Sequence, residues 1–287
     1  MTQGRITERG FVDSADGTRL FYERDLHPEP KAVVFIVHGF LEHCGRYAEV
    51  ADRLVKLGLS VVRFDYRGHG QSGGKRGHCM SFDEYLADLR AVIEGMASDL
   101  DPTLPRLVIC HSYGGLITLH ALAQGLGDFQ AAVFSSPFFG FAIKVPKIKT
   151  MAGKMLSGVV PGLSLPAGLP PETVSSNPEI VSRYGEDPLV GTHATARWLT
   201  ETLAAHDRTH DLAAQIKVPV LMQQGGTDKV ASAEATESVF KALGNPDAAT
   251  YQRFEPLYHE IWNEVQRDEP LSKMEAWLLD HLPEAKG

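Results

Sequence analysis

The chain has 287 residues, 43% of them apolar, enough for one large α/β domain with an insertion or for two small domains, and too apolar for disorder. Its 28 basic and 36 acidic side chains give a formal net charge of −8 with no basic cluster, which argues against nucleic acid as the main partner. No run of about eighteen apolar residues could span a membrane, the opening MTQGRITERGF lacks the apolar core of a signal peptide, and Cys44, Cys79 and Cys110 have no metal-ligand spacing, so reduced thiols in a cytoplasmic protein are expected.

Phe11 to Tyr22 reads as a hairpin turning at Asp16-Gly17. AVVFIV (Ala32 to Val37) is a short continuous apolar run, the pattern of a strand covered on both faces. Tyr47, Val50, Ala51, Leu54 and Leu57 then form one helical stripe that Gly58 stops, and Ser60 to Phe64 is the next strand. Ser81 and Glu84 have capping-box spacing, and Tyr85, Leu86, Leu89, Val92, Ile93 and Met96 follow at helical spacing that predicts core packing. RLVIC and AAVFS read as buried strands flanking a helix from Tyr113 to about Gln124. VPVLMQQ (Val218 to Gln224) and Ala249 to Phe254 complete the strands, with helices near Ser232 to Leu243 and Leu271 to His281.

This alternation predicts an α/β fold with a mostly parallel central sheet and helices on both faces. One interval interrupts it. Phe138 to Pro171 holds five glycines, five prolines and the lysines 144, 147, 149 and 154, with no acidic residue. The expected organisation is a core in two parts, 1–137 and 211–287, with 138–210 inserted as a helical cap over the carboxyl edge of the sheet.

Ser112 sits in CHSYGG, between a predicted strand and a predicted helix. A serine hydroxyl at neutral pH needs a base in hydrogen-bond reach, and that base needs an orienting partner. A strand-turn-helix junction would project the hydroxyl above the sheet, and its sharpness demands small neighbours, which Gly114 and Gly115 supply. The six residues alone fit a helix N-cap serine as well. The rest of the chain favours catalysis: nucleophile, acid and base follow in the order Ser112, Asp228 (GGTDKV), His259 (EPLYHEIWNE), the last two just after predicted strands. Asp187 and Asp211 are the substitutes for the acid, and His193, His206 and His210 are expected to be solvated. Oxyanion donors are expected from the backbone N–H of Tyr113 and, in the loop HGFLEHCGRY, of Phe40. No histidine-carboxylate cluster has zinc-site spacing, so no metal and no cofactor are expected.

With these segments in place, the sequence resembles the monoacylglycerol lipases and bacterial lysophospholipases. HGFLEHCGRY is similar to their His-Gly-x-x-Glu-His-x-Gly-Arg-Tyr segment, FDYRGHGQSGG to their Asp-x-Arg-Gly-His-Gly-x-Ser run, and CHSYGG, GGTDKV and YHEIWNE to their three catalytic segments. The resemblance covers nearly the whole chain. It implies an α/β-hydrolase fold with a helical cap and hydrolysis of single-acyl-chain lipid esters through an acyl-enzyme, by Ser112, His259 and Asp228. Separately from the resemblance, the apolar residues and four lysines of Phe138 to Pro171 read as a cap face that touches lipid aggregates and favours anionic surfaces, peripheral to a membrane in an otherwise cytoplasmic protein; apolar residues packed onto the core with solvated lysines around them are the competing reading. By position the resemblance puts Glu42 and Arg46 near the alcohol end of the substrate, where a structural ion pair is the competing reading, and gives Asp65, Arg67 and His69 the task of holding a loop near the site. Three residues depart from the pattern: Cys110 replaces a glycine, Cys44 a common serine, and Trp262 a histidine found near the glycerol in animal monoacylglycerol lipases. The alternatives are other chemistry on the same triad (prolyl-type aminopeptidase, cofactor-free haloperoxidase, hydroxynitrile lyase, short-chain esterase) and a non-catalytic ligand receptor.

Overall fold

Two antiparallel strands, β1 (Ile6–Asp13) and β2 (Arg19–Leu26), open the chain. In the turn between them Ser14 N–H donates to the Thr18 carbonyl at 2.8 Å, and Gly17 takes φ +82°, a region glycine enters without a Cβ clash. The structure is a computed structural model that describes residues 6–96, 100–143 and 147–282, without the side chains of 147–150, 152 and 154. Strand and helix then alternate through β3 (Val33–Val37), α1 (Ala48–Lys56), β4 (Ser60–Phe64), α2 (Asp83–Gly95), β5 (Arg106–His111), α3 (Tyr113–Ala123) and β6 (Phe129–Ser135). An irregular interval follows: α4 (Lys147–Val159), β7 (Ser164–Pro166), α5 (Pro178–Glu186), β8 (His193–Thr195), α6 (Ala196–His206) and α7 (Thr209–Ala213). Alternation resumes with β9 (Val220–Gly225), α8 (Ala233–Lys241), β10 (Ala249–Phe254) and α9 (Asp268–Asp280).

Eight strands form one sheet in the order β1-β2-β4-β3-β5-β6-β9-β10, parallel from β4 to β10 and antiparallel at the β1-β2-β4 end. The predicted α/β-hydrolase architecture is therefore present. The apolar run of β3 is continuous because its two faces feed two cores. Val33, Phe35 and Val37 pack with Leu86, Leu89 and Leu116, whereas Val34 and Ile36 pack with Leu54, Val55, Leu271 and Trp277. Helices α2 and α3 thus cover one face, and α1 and α9 the other. From β3 the chain first moves outward to β4, then returns to the opposite side of β3 as β5. The loops leaving β3 and β5 consequently diverge to opposite faces and open a crevice at the carboxyl ends of adjacent strands, where ligands of open α/β sheets bind.

The interval between β6 and β9 contains helices and a two-stranded antiparallel ribbon, β7 with β8. Helix α4 packs on α6, while α7 packs on the core helices α3 and α8. Two local expectations need correction. The Ser81/Glu84 capping box is displaced: α2 starts one residue later than the box requires, with Phe82 at its N-cap, so Ser81 Oγ accepts from Asp83 N–H at 3.2 Å and Glu84 Oε2 from Met80 N–H at 2.8 Å, while Glu201 of α6 takes the Phe82 N–H at 3.1 Å. His206 is not solvated. It hydrogen-bonds the Phe138 carbonyl at 2.8 Å between the rings of Phe138 and Phe141, and burial lowers its pKa to about 4. His193 and His210 are exposed, as expected. Among the described residues no helix is long and apolar enough to cross a membrane.

Candidate active site

Ser112 stands between β5 and α3 with φ 51° and ψ −117°, a backbone conformation that a non-glycine residue holds only when its surroundings enforce it. The enforcement is visible. Ser112 N–H donates to the Ser135 carbonyl and its own carbonyl accepts from the N–H groups of Gly115 and Phe138, at 2.9–3.0 Å. A Cβ on Gly114 would lie 2.2 Å from the Val37 carbonyl oxygen, and one on Gly115 2.7 Å from Pro137 Cβ, so both glycines are required for α3 to start this close to the sheet. Although Ser112 occupies the N-cap position, its hydroxyl makes no cap bond. It lies 2.8 Å from His259 Nε2. The hydroxyl thus faces an imidazole and leaves the helix N-terminus uncapped.

His259 and Asp228 reach the crevice from the loops after β10 and β9. Those loops are stitched together by Gly226 N–H to Phe254 and Thr227 N–H to Leu257 carbonyls, at 2.9 and 3.0 Å. Gly225 is needed there because a Cβ would meet the Tyr258 carbonyl oxygen at 2.0 Å. His259 Nδ1 lies 2.8 Å from Asp228 Oδ2. Asp228 is saturated: Oδ2 also accepts from Gln224 Nε2 at 2.9 Å, and Oδ1 from Val230 and Ala231 N–H at 2.8 and 2.9 Å. Burial opposes ionisation of the Asp228 carboxyl, but the His259 partner and these donors hold it below the usual carboxylate range. Burial likewise opposes a charge on His259, and Asp228, with Glu260 and Glu42 beyond it, raises its pKa above the ordinary 6.5. Neither substitute acid reaches this imidazole: Asp187 pairs with His43 at 2.9 Å and Asp211 is exposed.

Phe40 and Gly39 follow β3 directly beside the turn, and a Cβ on Gly39 would lie 3.2 Å from Ser112 Cβ. Among the described residues the amides of Phe40 and Tyr113 have no protein acceptor. Glu42 and Arg46 do form an ion pair, at 2.5 Å, and a third group joins it: Glu260 accepts from Arg46 at 2.6 and 2.7 Å. Glu42 also accepts from Tyr47 Oη and from Gly39 N–H. Burial pushes its carboxyl up, but Arg46 and these donors carry it below its usual range. Both carboxylates line a cavity of about 590 Å³ that also holds Ser112 and His259. Its remaining walls are mostly apolar, with Phe138, Phe141, Leu156, Leu165, Trp198 and Leu199 among them, all six from the interval between β6 and β9. That size and lining suit a small organic ligand.

In FDYRGHG, Asp65 accepts the Cys44 and Gln71 N–H groups at 2.7 and 2.8 Å, and Arg67 clasps Asp88 at 2.7–2.9 Å and Asp16 at 2.8 Å. His69 is buried, its Nδ1 2.9 Å from the Arg67 carbonyl. These side chains fasten the loop. Among the described residues no group of three or more His, Cys, Asp or Glu side chains could hold a metal ion.

Residues 28–266 match the model of a family described as "Serine aminopeptidase, S33". The chain is 32% identical to a monoacylglycerol lipase of Mycolicibacterium smegmatis over 98% of this chain and 100% of that one. It is also 32% identical to phospholipase YtpA of Bacillus subtilis, covering 88% of this chain and 97% of the relative. A crystal structure of Paleococcus ferrophilus monoacylglycerol lipase superposes with a TM-score of 0.83 at 32% identity, over 91% of this chain and 99% of the other. The chain belongs to this family. It is an α/β-hydrolase of the monoacylglycerol-lipase type, an enzyme of the carboxylic-ester-hydrolase class.

The departures from the family pattern have local explanations. Cys110 is fully buried and its Sγ points to the Val133 carbonyl at 3.3 Å on β6, so the strand accommodates it. Cys44 is buried too, and burial pushes its thiol well above the usual range. Trp262 is buried with Nε1 donating to Gln223 Oε1 at 3.0 Å, and does not line the cavity. Other side chains at the site carry no comparable sequence signal. Glu260 merely follows His259, and Trp198 lies on α6, from where it stacks on Phe40 at 3.8 Å. Gln224 was open to notice as a polar residue ending an apolar strand.

Proposed function

We propose that the protein is a serine esterase for lipids carrying one acyl chain, monoacylglycerols or lysophospholipids, with Ser112 as nucleophile, His259 as general base and Asp228 as its orienter. The observation that carries this reading is the Ser112–His259–Asp228 hydrogen-bond relay, at 2.8 Å per step, opening into a single mostly apolar cavity. His259 Nε2 takes the serine proton as Oγ attacks the ester carbon. The carbonyl oxygen becomes an oxyanion held by the Phe40 and Tyr113 amides, each such donor contributing about 10²–10³ in rate. The C–O bond then breaks, and the alcohol leaves with the proton from His259. Water, deprotonated by the same imidazole, hydrolyses the acyl-enzyme and frees the fatty acid.

The insertion, residues 138–210, acts as a cap whose apolar inner wall holds the acyl chain. Glu42, Arg46 and Glu260 face the alcohol end. Ile143, which lines the cavity, and Met151, Met155 and Val159 of α4, whose Gly153 and Leu156 also line it, are 63–82% exposed and are the surface that touches a membrane or micelle. Of the cap lysines, Lys144 and the side chains of Lys147, Lys149 and Lys154 lie outside the described residues.

Ser112→Ala, which removes one oxygen, tests the reading on a panel of monoacylglycerol, lysophosphatidylcholine, p-nitrophenyl butyrate and an amino-acid arylamide. The wild type should cleave the esters, and the variant should lose about 10⁶-fold in turnover. Retention of a tenth of the activity, or cleavage of the arylamide alone, would refute it.

A further inference from the structure

The loop that follows β3 is held at a point the proposed chemistry does not touch. The Gly39 carbonyl oxygen accepts two hydrogen bonds, from Tyr66 Oη at 2.6 Å and from His38 Nδ1 at 2.7 Å. A carbonyl has two lone pairs and prefers donors near its own plane, so two donors fix the plane of that peptide as well as its direction. The N–H on the far side of the same planar unit belongs to Phe40. Fixing the Gly39 carbonyl therefore aims the Phe40 amide.

The clamp is built to last. Tyr66 and His38 are both 0% exposed and their rings stack 4.1 Å apart at 11°. A carbonyl can only accept, so His38 carries its proton on Nδ1. Burial, with the charges of His43 and Arg46 behind it, lowers the pKa of this imidazole to about 3, which keeps it neutral, and the Gly39 carbonyl holds it in that tautomer. Burial likewise holds the Tyr66 phenol well above its usual range, so Oη remains a donor. There is also a reason the loop needs holding: two residues on, Leu41 has φ 63°, in the left-handed region that a branched side chain avoids. The strained turn is tied at the Gly39 N–H by Glu42 at 2.5 Å, at the Leu41 carbonyl by Gly191 N–H at 2.7 Å, and at the Gly39 carbonyl by Tyr66 and His38.

We propose that Tyr66 is a positioning residue of the oxyanion hole, which with His38 clamps the Gly39 carbonyl and so directs the Phe40 N–H at the oxygen of the transition state. Donation to the carbonyl also polarises the peptide and strengthens its N–H as a donor. The inference rests on the serine-esterase reading above. It assigns a role to a residue that touches neither substrate nor any of the three catalytic side chains.

Tyr66→Phe deletes one buried oxygen and keeps the stacked ring. Rates are normalised to the fraction of enzyme that a fluorophosphonate titrates at Ser112, so unfolded protein drops out. With p-nitrophenyl butyrate the variant should lose about tenfold in kcat, less than removal of an oxyanion donor outright, while KM stays within about twofold. An alkyl trifluoromethyl ketone, whose serine adduct places an oxyanion in the hole, should bind more weakly by a similar factor. The matching alcohol, which forms no oxyanion, should bind unchanged. Tyr85→Phe is the control, since Tyr85 is equally buried and packs edge-on against Tyr66 at 5.2 Å, and it should behave as wild type. An unchanged kcat in Tyr66→Phe overturns the clamp, as does parallel weakening of ketone and alcohol, which would mean a distorted pocket. A wild type that cleaves no ester would overturn the serine-esterase reading and the clamp together, whereas an active wild type beside an unaltered variant overturns the clamp alone.

Discussion

Replacing Asp228 by Asn has a consequence that the hydrogen bonds around it dictate. The amide is isosteric with the carboxylate, but only one of its two ends accepts. Val230 and Ala231 N–H both donate to Oδ1, so the amide oxygen must remain there. The NH₂ group then replaces Oδ2, which now accepts from His259 Nδ1 at 2.8 Å and Gln224 Nε2 at 2.9 Å. Facing a donor, His259 has to present a lone pair at Nδ1 and move its proton to Nε2, where it points at Ser112 instead of receiving the serine proton. Turnover should fall by about 10⁴, or about 5.4 kcal/mol of transition-state stabilisation. Gln224 Nε2 would oppose a second donor in a buried site, for about 1–3 kcal/mol of folding stability. Hydrolysis of p-nitrophenyl butyrate and urea unfolding measure the two effects separately. Asp187→Asn should leave turnover near wild type, because its carboxylate pairs with His43. An Asp228→Asn protein that is folded and loses less than about a hundredfold, or an Asp187→Asn protein that loses more, would refute the reasoning.

Three other outcomes are expected. Only neutral His259 can accept the serine proton, and its pKa is raised above 6.5, so kcat/KM should fall as pH drops through a midpoint above that value; a profile flat from about pH 5 to about 8 would contradict this. Arg46→Met should leave Glu42 and Glu260 buried without their shared cation and cost about 3–5 kcal/mol by urea unfolding, whereas a loss under about 1 kcal/mol would put the cluster on a par with exposed pairs. Met155→Gln combined with Val159→Gln should weaken co-sedimentation with lipid vesicles and leave hydrolysis of a soluble short-chain ester unchanged, since both side chains are more than 70% exposed; equal sedimentation of variant and wild type would remove this surface from the proposal.

The core elements were legible because their signals are local. A strand covered on both faces has to be apolar throughout, as β3 is, and a helix lying on the sheet must repeat its apolar residues every third or fourth position, as α2 does between Tyr85 and Met96. The chain order of Ser112, Asp228 and His259 was legible for a similar reason, since each lies at a strand end that local pattern identifies. Local pattern could not say whether the Ser112 hydroxyl caps its helix or faces an imidazole. The two outcomes share the same six residues, and the choice depends on a loop 147 residues away. The same reason accounts for the rest. The N-terminus of α2 lies one residue beyond the Ser81 box, where Glu201 from another helix takes the Phe82 N–H, and His206 lost its water because Phe138 and Phe141 close over it. Arg46 acquired a second carboxylate, Glu260, from 214 residues along the chain. Each of these depends on which polar group finds a partner when water is withdrawn, and that is settled by the packing of segments distant in sequence.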